Sequence, residues 1–223
     1  MSRRGFSLIE LIVSLSIMTI LVGFSVPVIA TEVKRQKVKA EKVELNAIKT
    51  AVVEYFDDTF TFPSSLGELV VNGDGVSGWA GPYYSPSLSL YGSGGSTATE
   101  DEWGTTYNMA AGGLSSRVVT SAGPDHAFGT GDDIAVTADV TSVRRKTTIE
   151  ELEVINNAIV AYNVTYLSSN PLLPNYTTIL SRLKATGYLP NGDTTYDQDG
   201  WNLAYVPDPV GVTPVVRVTS SMF

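Results

Sequence analysis

The 223-residue sequence predicts an α+β fold. One long N-terminal helix packs its second half on a small antiparallel sheet, and a second, smaller α+β head follows. Three observations carry this expectation. From about Phe6 to Asp57 there is one proline, Pro27, and no glycine after Gly23, so little interrupts a helix. Beyond Pro63, short strand-like runs alternate with Gly, Pro and Asp turns. From residue 142 onward, features of the first part recur in the same order.

The chain opens with Arg3 and Arg4, then Gly5-Phe6-Ser7-Leu8-Ile9-Glu10. Twenty residues without a charge follow, from Leu11 to Ala30. An apolar helix of about 20 residues is long enough to cross a bilayer. An ordinary signal peptide has a shorter apolar core with a small-residue cleavage site after it. Here the small residue, Gly5, precedes the core, so cutting there leaves the apolar helix on the mature chain. Glu10 is the one charge between Phe6 and Ala30. A carboxylate in apolar surroundings costs about 2.5–3.5 kcal/mol at a membrane helix centre, and less near an end. It either reaches the headgroup zone or awaits a cationic partner.

After Ala30 the pattern becomes amphipathic. Val38, Leu45, Ile48, Val52 and Tyr55 recur at helical spacing, with Ala47 and Ala51 beside them. Lys37, Lys39, Glu41, Lys42, Glu44, Lys49 and Glu54 fill the remaining, charged face. A single helix from Phe6 to Asp57 would be roughly 75–80 Å long. Phe62-Pro63-Ser64-Ser65-Leu66 ends it with a turn, and Leu66, Leu69 and Val70 fit a short second helix. Gly78-Trp79-Ala80-Gly81-Pro82-Tyr83 reads as a tight packed turn, and Gly92-Ser93-Gly94-Gly95-Ser96-Thr97 as an exposed loop. Asp101-Glu102-Trp103-Gly104-Thr105-Thr106-Tyr107 opens a strand region, and residues 116–121 form another strand.

The leader and the apolar run together resemble the class III leader of type IV prepilins and type II secretion pseudopilins. The resemblance implies cleavage after Gly5 by prepilin peptidase and methylation of the new amine on Phe6. It also implies that Glu10 faces the Phe6 amine of a neighbouring subunit during filament assembly. Losing residues 1–5 removes Arg3 and Arg4 and takes the net charge from −8 to about −10. Many pilins also carry a proline at the depth of Pro27.

The head, with its Trp-x-Gly-Pro-Tyr turn, its Asp-x-Trp-Gly-x-x-Tyr entry and its Ser-x-Gly-x-Asp loop running to Asp132-Asp133-Ile134, resembles the major pseudopilin of type II secretion over about residues 1–136. That family binds calcium in this last loop. Calcium takes six to eight oxygens from carboxylates and backbone carbonyls on a loop bent by glycines. Asp125 and Asp132 match the family's acidic positions, Asp133 is an additional candidate, and Ser121 with nearby carbonyls is a weaker one. His126 reads as incidental and solvent-facing.

Composition narrows the alternatives. The absence of cysteine excludes disulfides, thiolate metal sites and cysteine nucleophiles, and a single histidine excludes a multi-histidine zinc site. An acidic chain argues against nucleic-acid binding. There is no phosphate-binding Gly-Lys-Ser/Thr motif and no nucleophile paired to a base, so the expectation is a non-enzyme. Lys34, Arg35, Lys37, Lys39 and Lys42 would by count favour the cytoplasmic side. The prepilin resemblance implies the opposite: a single pass in the inner membrane with the head in the periplasm or outside, then a place in a filament. The implied partners are other pilin-like subunits, prepilin peptidase and an inner-membrane assembly platform.

The second head begins near residue 141. Glu151-Leu152, Ile155, Ala158, Ile159 and Tyr162 match Glu44-Leu45, Ile48, Ala51, Val52 and Tyr55 at an offset of 107 residues. Thr148-Ile149-Glu150-Glu151 has capping-box spacing and is expected to start its helix. Asp199-Gly200-Trp201-Asn202-Leu203-Ala204-Tyr205 echoes the entry at Asp101, and residues 215–220 echo the strand before the calcium loop. The expected organisation is a leader at 1–5, a transmembrane/assembly helix at 6–30, a pseudopilin head with a calcium-type loop at 31–140, and a second head at 141–223 without anchor or calcium loop. The expected function is a subunit of a secretion pseudopilus or related type IV filament. The alternatives are a minor or tip pilus subunit and a membrane-tethered binding module.

Overall fold

A computed structural model describes residues 7–85 and 99–223, apart from the side chains of residues 21–28 and 30. Gly5, Phe6 and the glycine-rich stretch at 92–97 lie outside the described residues. Helix α1 spans Leu8–Thr59 and continues through Pro27. Its 52 residues measure about 78 Å. It ends where Phe60 takes a left-handed conformation (φ 52°) and donates its amide to the Phe56 carbonyl at 2.9 Å. The expected membrane segment at 6–30 is only partly described. Among the described residues no helix is long and apolar enough to cross a membrane.

The protein is α+β, with the N-terminal helix packed on a small antiparallel sheet. The sheet has the order β1-β2-β3, formed by Asn108–Gly113, Ser116–Ser121 and Ile134–Asp139. Asp101–Tyr107 is a turn, closed by an isolated bridge between Glu100 and Thr106, and it opens onto β1 as expected. The short helix expected after Pro63 is a 3-10 turn, Leu66–Leu69.

By its internal contacts the chain divides into two compact units. Unit 1 comprises α1 as far as Tyr55 together with residues 62–110 and 118–137, and unit 2 comprises residues 56–61, 111–117 and 138–223. In unit 1 the stripe Leu45, Ile48, Ala51, Val52, Tyr55 is buried, as are Leu66, Leu69, Tyr84, Tyr107 and Val119. Each large aliphatic side chain withdrawn from water contributes about 1.5–3 kcal/mol. Trp79 and Tyr83 meet edge to face at 5.6 Å, and Trp79 Nε1 donates to the Glu68 carbonyl at 2.9 Å. The Gly78–Tyr83 stretch is therefore the packed turn its composition predicts.

Unit 2 contains α2 (Thr141–Tyr166), α3 (Tyr176–Ala185) and the antiparallel pair β4 (Val206–Asp208) and β5 (Arg217–Thr219). Its core joins Ile155, Ile159 and Tyr162 of α2 to Ile179 and Leu183 of α3 and Val218 of β5. Thr148 does not start α2, which begins seven residues earlier. Asp139 Oδ1 accepts the Thr141 amide at 2.7 Å and serves that end, while Thr148 is buried inside the helix and donates back to the Arg144 carbonyl at 2.8 Å. The spacing Thr-x-x-Glu is equally at home in a helix interior, so the pattern alone misplaced the boundary. Two asparagines also serve the fold: Asn163 Nδ2 donates to the Val215 carbonyl, and Asn175 Oδ1 caps α3 by accepting the Thr178 amide.

Candidate functional site

Three regions of the chain carry chemistry. The first is the start of α1. Every described apolar side chain from Leu8 to Ile20 is more than half exposed, on all sides of the helix. Glu10 lies among them and accepts the Ser7 amide through Oε2 at 3.3 Å. A helix apolar all round is stable only when lipid or protein covers it.

The second region is the loop from Ser121 to Ile134. Ser121 is fully buried; its Oγ donates to Asp101 Oδ2 at 2.8 Å and accepts the Gly123 amide at 3.1 Å. The hydroxyl is thus committed to holding the loop's base. Gly123 has φ 69°, and a Cβ there would lie 2.5 Å from the Asp132 carbonyl oxygen, so the close approach of the two loop ends requires glycine. Thr130 Oγ1 donates to Asp132 Oδ1 at 2.7 Å, and this bond is the main reason the exposed Asp132 carboxyl is held below the usual carboxylate range. The Asp125 carboxyl comes within hydrogen-bonding reach of Asp132. Asp125 Oδ1 also accepts the Ala127 amide at 2.9 Å. Asp133 Oδ2 accepts the Gly129 amide at 2.7 Å, while its Oδ1 is buried without a hydrogen-bond partner. His126, exposed as expected, is not idle: its Nδ1 lies 2.7 Å from Thr105 Oγ1 and ties the loop to the Asp101 turn.

These donors are all oxygens, as calcium prefers. Asp125 and Asp132 with the unpartnered Asp133 oxygen are donors of the kind such a cation takes. Among the described residues, no three acidic or histidine side chains converge as a metal cage. A cation in this loop therefore has to draw on backbone carbonyls as well as on Asp125 and Asp132.

The third region was not singled out by sequence. Glu41 and Glu44 do not belong to the solvent face of α1: they are 0% and 7% exposed. Glu41 Oε2 accepts the Glu102 amide at 2.9 Å, and Glu44 Oε1 accepts the Tyr84 hydroxyl at 2.7 Å. Burial pushes the Glu41 carboxyl up to about 7, with Asp101 and Glu44 adding to the rise. Burial likewise raises the Tyr84 and Tyr107 phenols. The signal was present, since Glu41 stands three residues after Val38 and four before Leu45, directly on the apolar stripe.

Asp101 organises the turn beside them. Its Oδ1 accepts the amides of Trp103 (3.1 Å) and Thr105 (2.8 Å), and Gly104 supplies the left-handed residue at φ 83°. The sequence that forms this turn and the start of α1 matches known family models. The description "Prokaryotic N-terminal methylation motif" matches residues 1–26, and "Type II secretion system (T2SS), protein G" matches residues 28–143, more than half of the chain. The chain belongs to the type II secretion system protein G family. No curated protein and no solved structure matches it. Families of this pseudopilin kind are structural rather than catalytic.

The protein G match ends within α2, and in unit 2 Asp199 accepts bonds of the same kind as Asp101 does. Asp199 Oδ1 accepts the amides of Trp201 and Leu203, both at 2.9 Å, and Ser220 Oγ donates to Asp199 Oδ2 at 2.6 Å. Asn202, three residues after Asp199 as Gly104 is after Asp101, is also left-handed, at φ 61°. Lys37 donates to the Glu102 carbonyl, and Arg144, 107 residues later, donates to the Gly200 carbonyl. Asp197 pairs with Lys184 at 2.8 Å.

Proposed function

We propose that this chain is a structural subunit of a type II secretion pseudopilus or a related type IV filament, cut after Gly5 by prepilin peptidase, methylated on Phe6 and assembled through the first half of α1. One observation carries the reading. The methylation motif and the protein G match run in succession over residues 1–143, on a helix whose described first turns present apolar side chains on every side. Lipid of the inner membrane covers that surface before assembly, with the head in the periplasm or outside, and neighbouring helices cover it afterwards. Glu10 then exchanges its exposed contact with Ser7 for the Phe6 amine of a neighbour. Charge pairing offsets the cost of burying the carboxylate and fixes register. The assembly platform and the peptidase are the partners this route requires.

Calcium is the ion proposed for the 123–133 loop, held by Asp125 and Asp132 with backbone carbonyls, with Asp133 as a further oxygen. Its role there is to cross-link a loop that glycines leave pliable. Ser121 supports the loop from beneath. Unit 2 is read as a second copy of the head. The support is the repeated network at Asp101 and Asp199, with Ser121 matched by Ser220, Gly104 by Asn202 and Lys37 by Arg144. Residues 144–223 lie beyond the protein G match. That added bulk on each subunit favours a minor, tip or decorating position over a close-packed major one.

Mass spectrometry of the N-terminal peptide tests the reading, using membranes and sheared surface material. A peptide beginning at methylated Phe6 is expected, in the sheared fraction for a surface filament and in membranes for a short pseudopilus. A chain still beginning at Met1 or Ser2 in cells with active prepilin peptidase would overturn it. Glu10→Val should leave processing intact and abolish assembly.

A further inference from the structure

Unit 1 buries a carboxyl group where its fold requires only an acceptor. Glu41 Oε2 takes the Glu102 amide at 2.9 Å. At the corresponding place in unit 2, 107 residues on, Thr148 takes the Gly200 amide through Oγ1, also at 2.9 Å. A neutral hydroxyl serves that contact there. The carboxyl of Glu41 adds a second oxygen and a titratable proton. That second oxygen, Oε1, and the hydroxyl of Tyr107, a residue only 6% exposed, are both buried without another partner and face each other; a bond from the phenol favours the ionised carboxyl, and burial outweighs it. The phenol's own proton serves an ionised Oε1 as well as the carboxyl's proton serves the phenol, so this pair is satisfied in either state; what separates the states is the charge itself, buried beside Glu44 and Asp101, which are 7% and 6% exposed.

The charged and titratable groups around Glu41 are Glu44 on the next turn of α1, Asp101 and Glu102 from the turn opposite, and the phenols Tyr84 and Tyr107. Lys37, on the preceding turn, gives its Nζ to the Glu102 carbonyl at 3.1 Å. The surroundings are thus predominantly acidic.

We propose that Glu41 is a proton-binding site that controls how firmly the Asp101–Tyr107 turn is held against α1. In the neutral form Oε2 keeps the Glu102 amide, Oε1–H donates to Tyr107 Oη, and no charge stands in the core. When the proton leaves for solvent, a buried carboxylate stands beside Glu44 and Asp101, and repulsion works against the closed turn. Because burial raises Glu41 to about 7, the change falls near neutral pH. The turn carries Asp101, which holds Ser121, and Thr105, which holds His126. Proton binding on the helix thereby reaches both ties of the 123–133 loop. The inference concerns unit 1 itself and stands whether or not the chain enters a filament.

The sign follows from linkage. Glu41 has its folded value raised above the ordinary 4.5, so its contribution to stability is fully present below about 4.5 and is lost as pH rises through about 7. The test is thermal unfolding of the full chain in detergent, wild type against Glu41→Gln, from about pH 5 to about pH 8. Glutamine keeps an acceptor for the Glu102 amide and offers Tyr107 a donor. The expected result is a Tm difference in favour of the variant that grows by several degrees with rising pH. Other groups titrate in both proteins and cancel. A difference independent of pH would overturn the proposal. Should the variant fail to fold, carboxyl ¹³C titration of wild type and Tyr107→Phe decides. A glutamate midpoint near 7 that moves in the variant supports the site, and unmoved midpoints sink it.

Discussion

Ser121 and Asp101, twenty residues apart, are joined in the interior of unit 1 by a 2.8 Å hydrogen bond from Oγ to Oδ2. The same carboxylate accepts the amides of Trp103 and Thr105. One side chain therefore closes a turn and fastens the strand that leads into the acidic loop. Asp199 does the same for unit 2 through Ser220, Trp201 and Leu203.

Replacing Asp101 by Ala leaves two amides and a buried hydroxyl without their acceptor. Each such group costs about 1–3 kcal/mol, so the variant is expected to lose about 3 kcal/mol or more. Asp199→Ala should lose a similar amount. Urea unfolding of the full chain, with one fluorescence probe per unit, measures both. A loss below about 1 kcal/mol in either would contradict the role assigned to these carboxylates.

Gly104 and Asn202 occupy matching left-handed positions, at φ 83° and 61°. A Cβ at Gly104 meets nothing within 4 Å, so substitution there is a test of backbone conformation alone. Gly104→Ala should cost about 1–2 kcal/mol. Gly104→Asn should cost clearly less, because asparagine tolerates this region and unit 2 already uses it. Equal losses for the two variants would break the proposed correspondence.

The 123–133 loop makes two separable predictions. Gly123→Ala combines a disfavoured φ with a Cβ 2.5 Å from the Asp132 carbonyl, and should destabilise unit 1 even in chelator. Asp125→Asn and Asp132→Asn should leave the chelated protein almost unchanged but abolish a calcium-dependent rise in Tm. Calorimetry with calcium and with EDTA distinguishes the cases. Absence of any calcium effect on the wild type would remove the metal from the account.

Glu151 gives a pH prediction in unit 2. Burial raises its carboxyl above the ordinary 4.5, against the opposing hydrogen bond from the Tyr205 hydroxyl. A raised folded value means stability that is present below about 4.5 and lost as pH rises. Tyr205→Phe removes the opposing bond and should steepen that decline. Unfolding midpoints of unit 2 between about pH 5 and pH 8 report the slope, and an unchanged or shallower slope would refute the assignment.

Much of this architecture is local and was therefore legible in the residues. A 3.6-residue period, an absence of helix breakers after Pro27 and the Phe62-Pro63 stop bound the second half of α1 and its packed face. The Gly5-Phe6 leader, the offset of Glu10 and the entry at Asp101 are short patterns in which residue type and spacing carry the whole signal. The recurrence of Leu45, Ile48, Val52 and Tyr55 as Leu152, Ile155, Ile159 and Tyr162 is likewise written in the chain.

Contacts between distant residues were decided only by the tertiary structure. Thr148 fits a capping box by spacing, but helix α2 had already begun at Thr141, whose amide Asp139 accepts, and the threonine went inside to meet Gly200. Glu41 looked like one charge of a solvent face, and packing of the Asp101 turn buried it against Tyr107. His126 gained a partner in Thr105, twenty-one residues away. Sequence spacing reports which residues share a face of one element. Whether water or another element covers that face depends on chain segments brought from far along the sequence, and that closure sets the ionisation of a buried carboxyl.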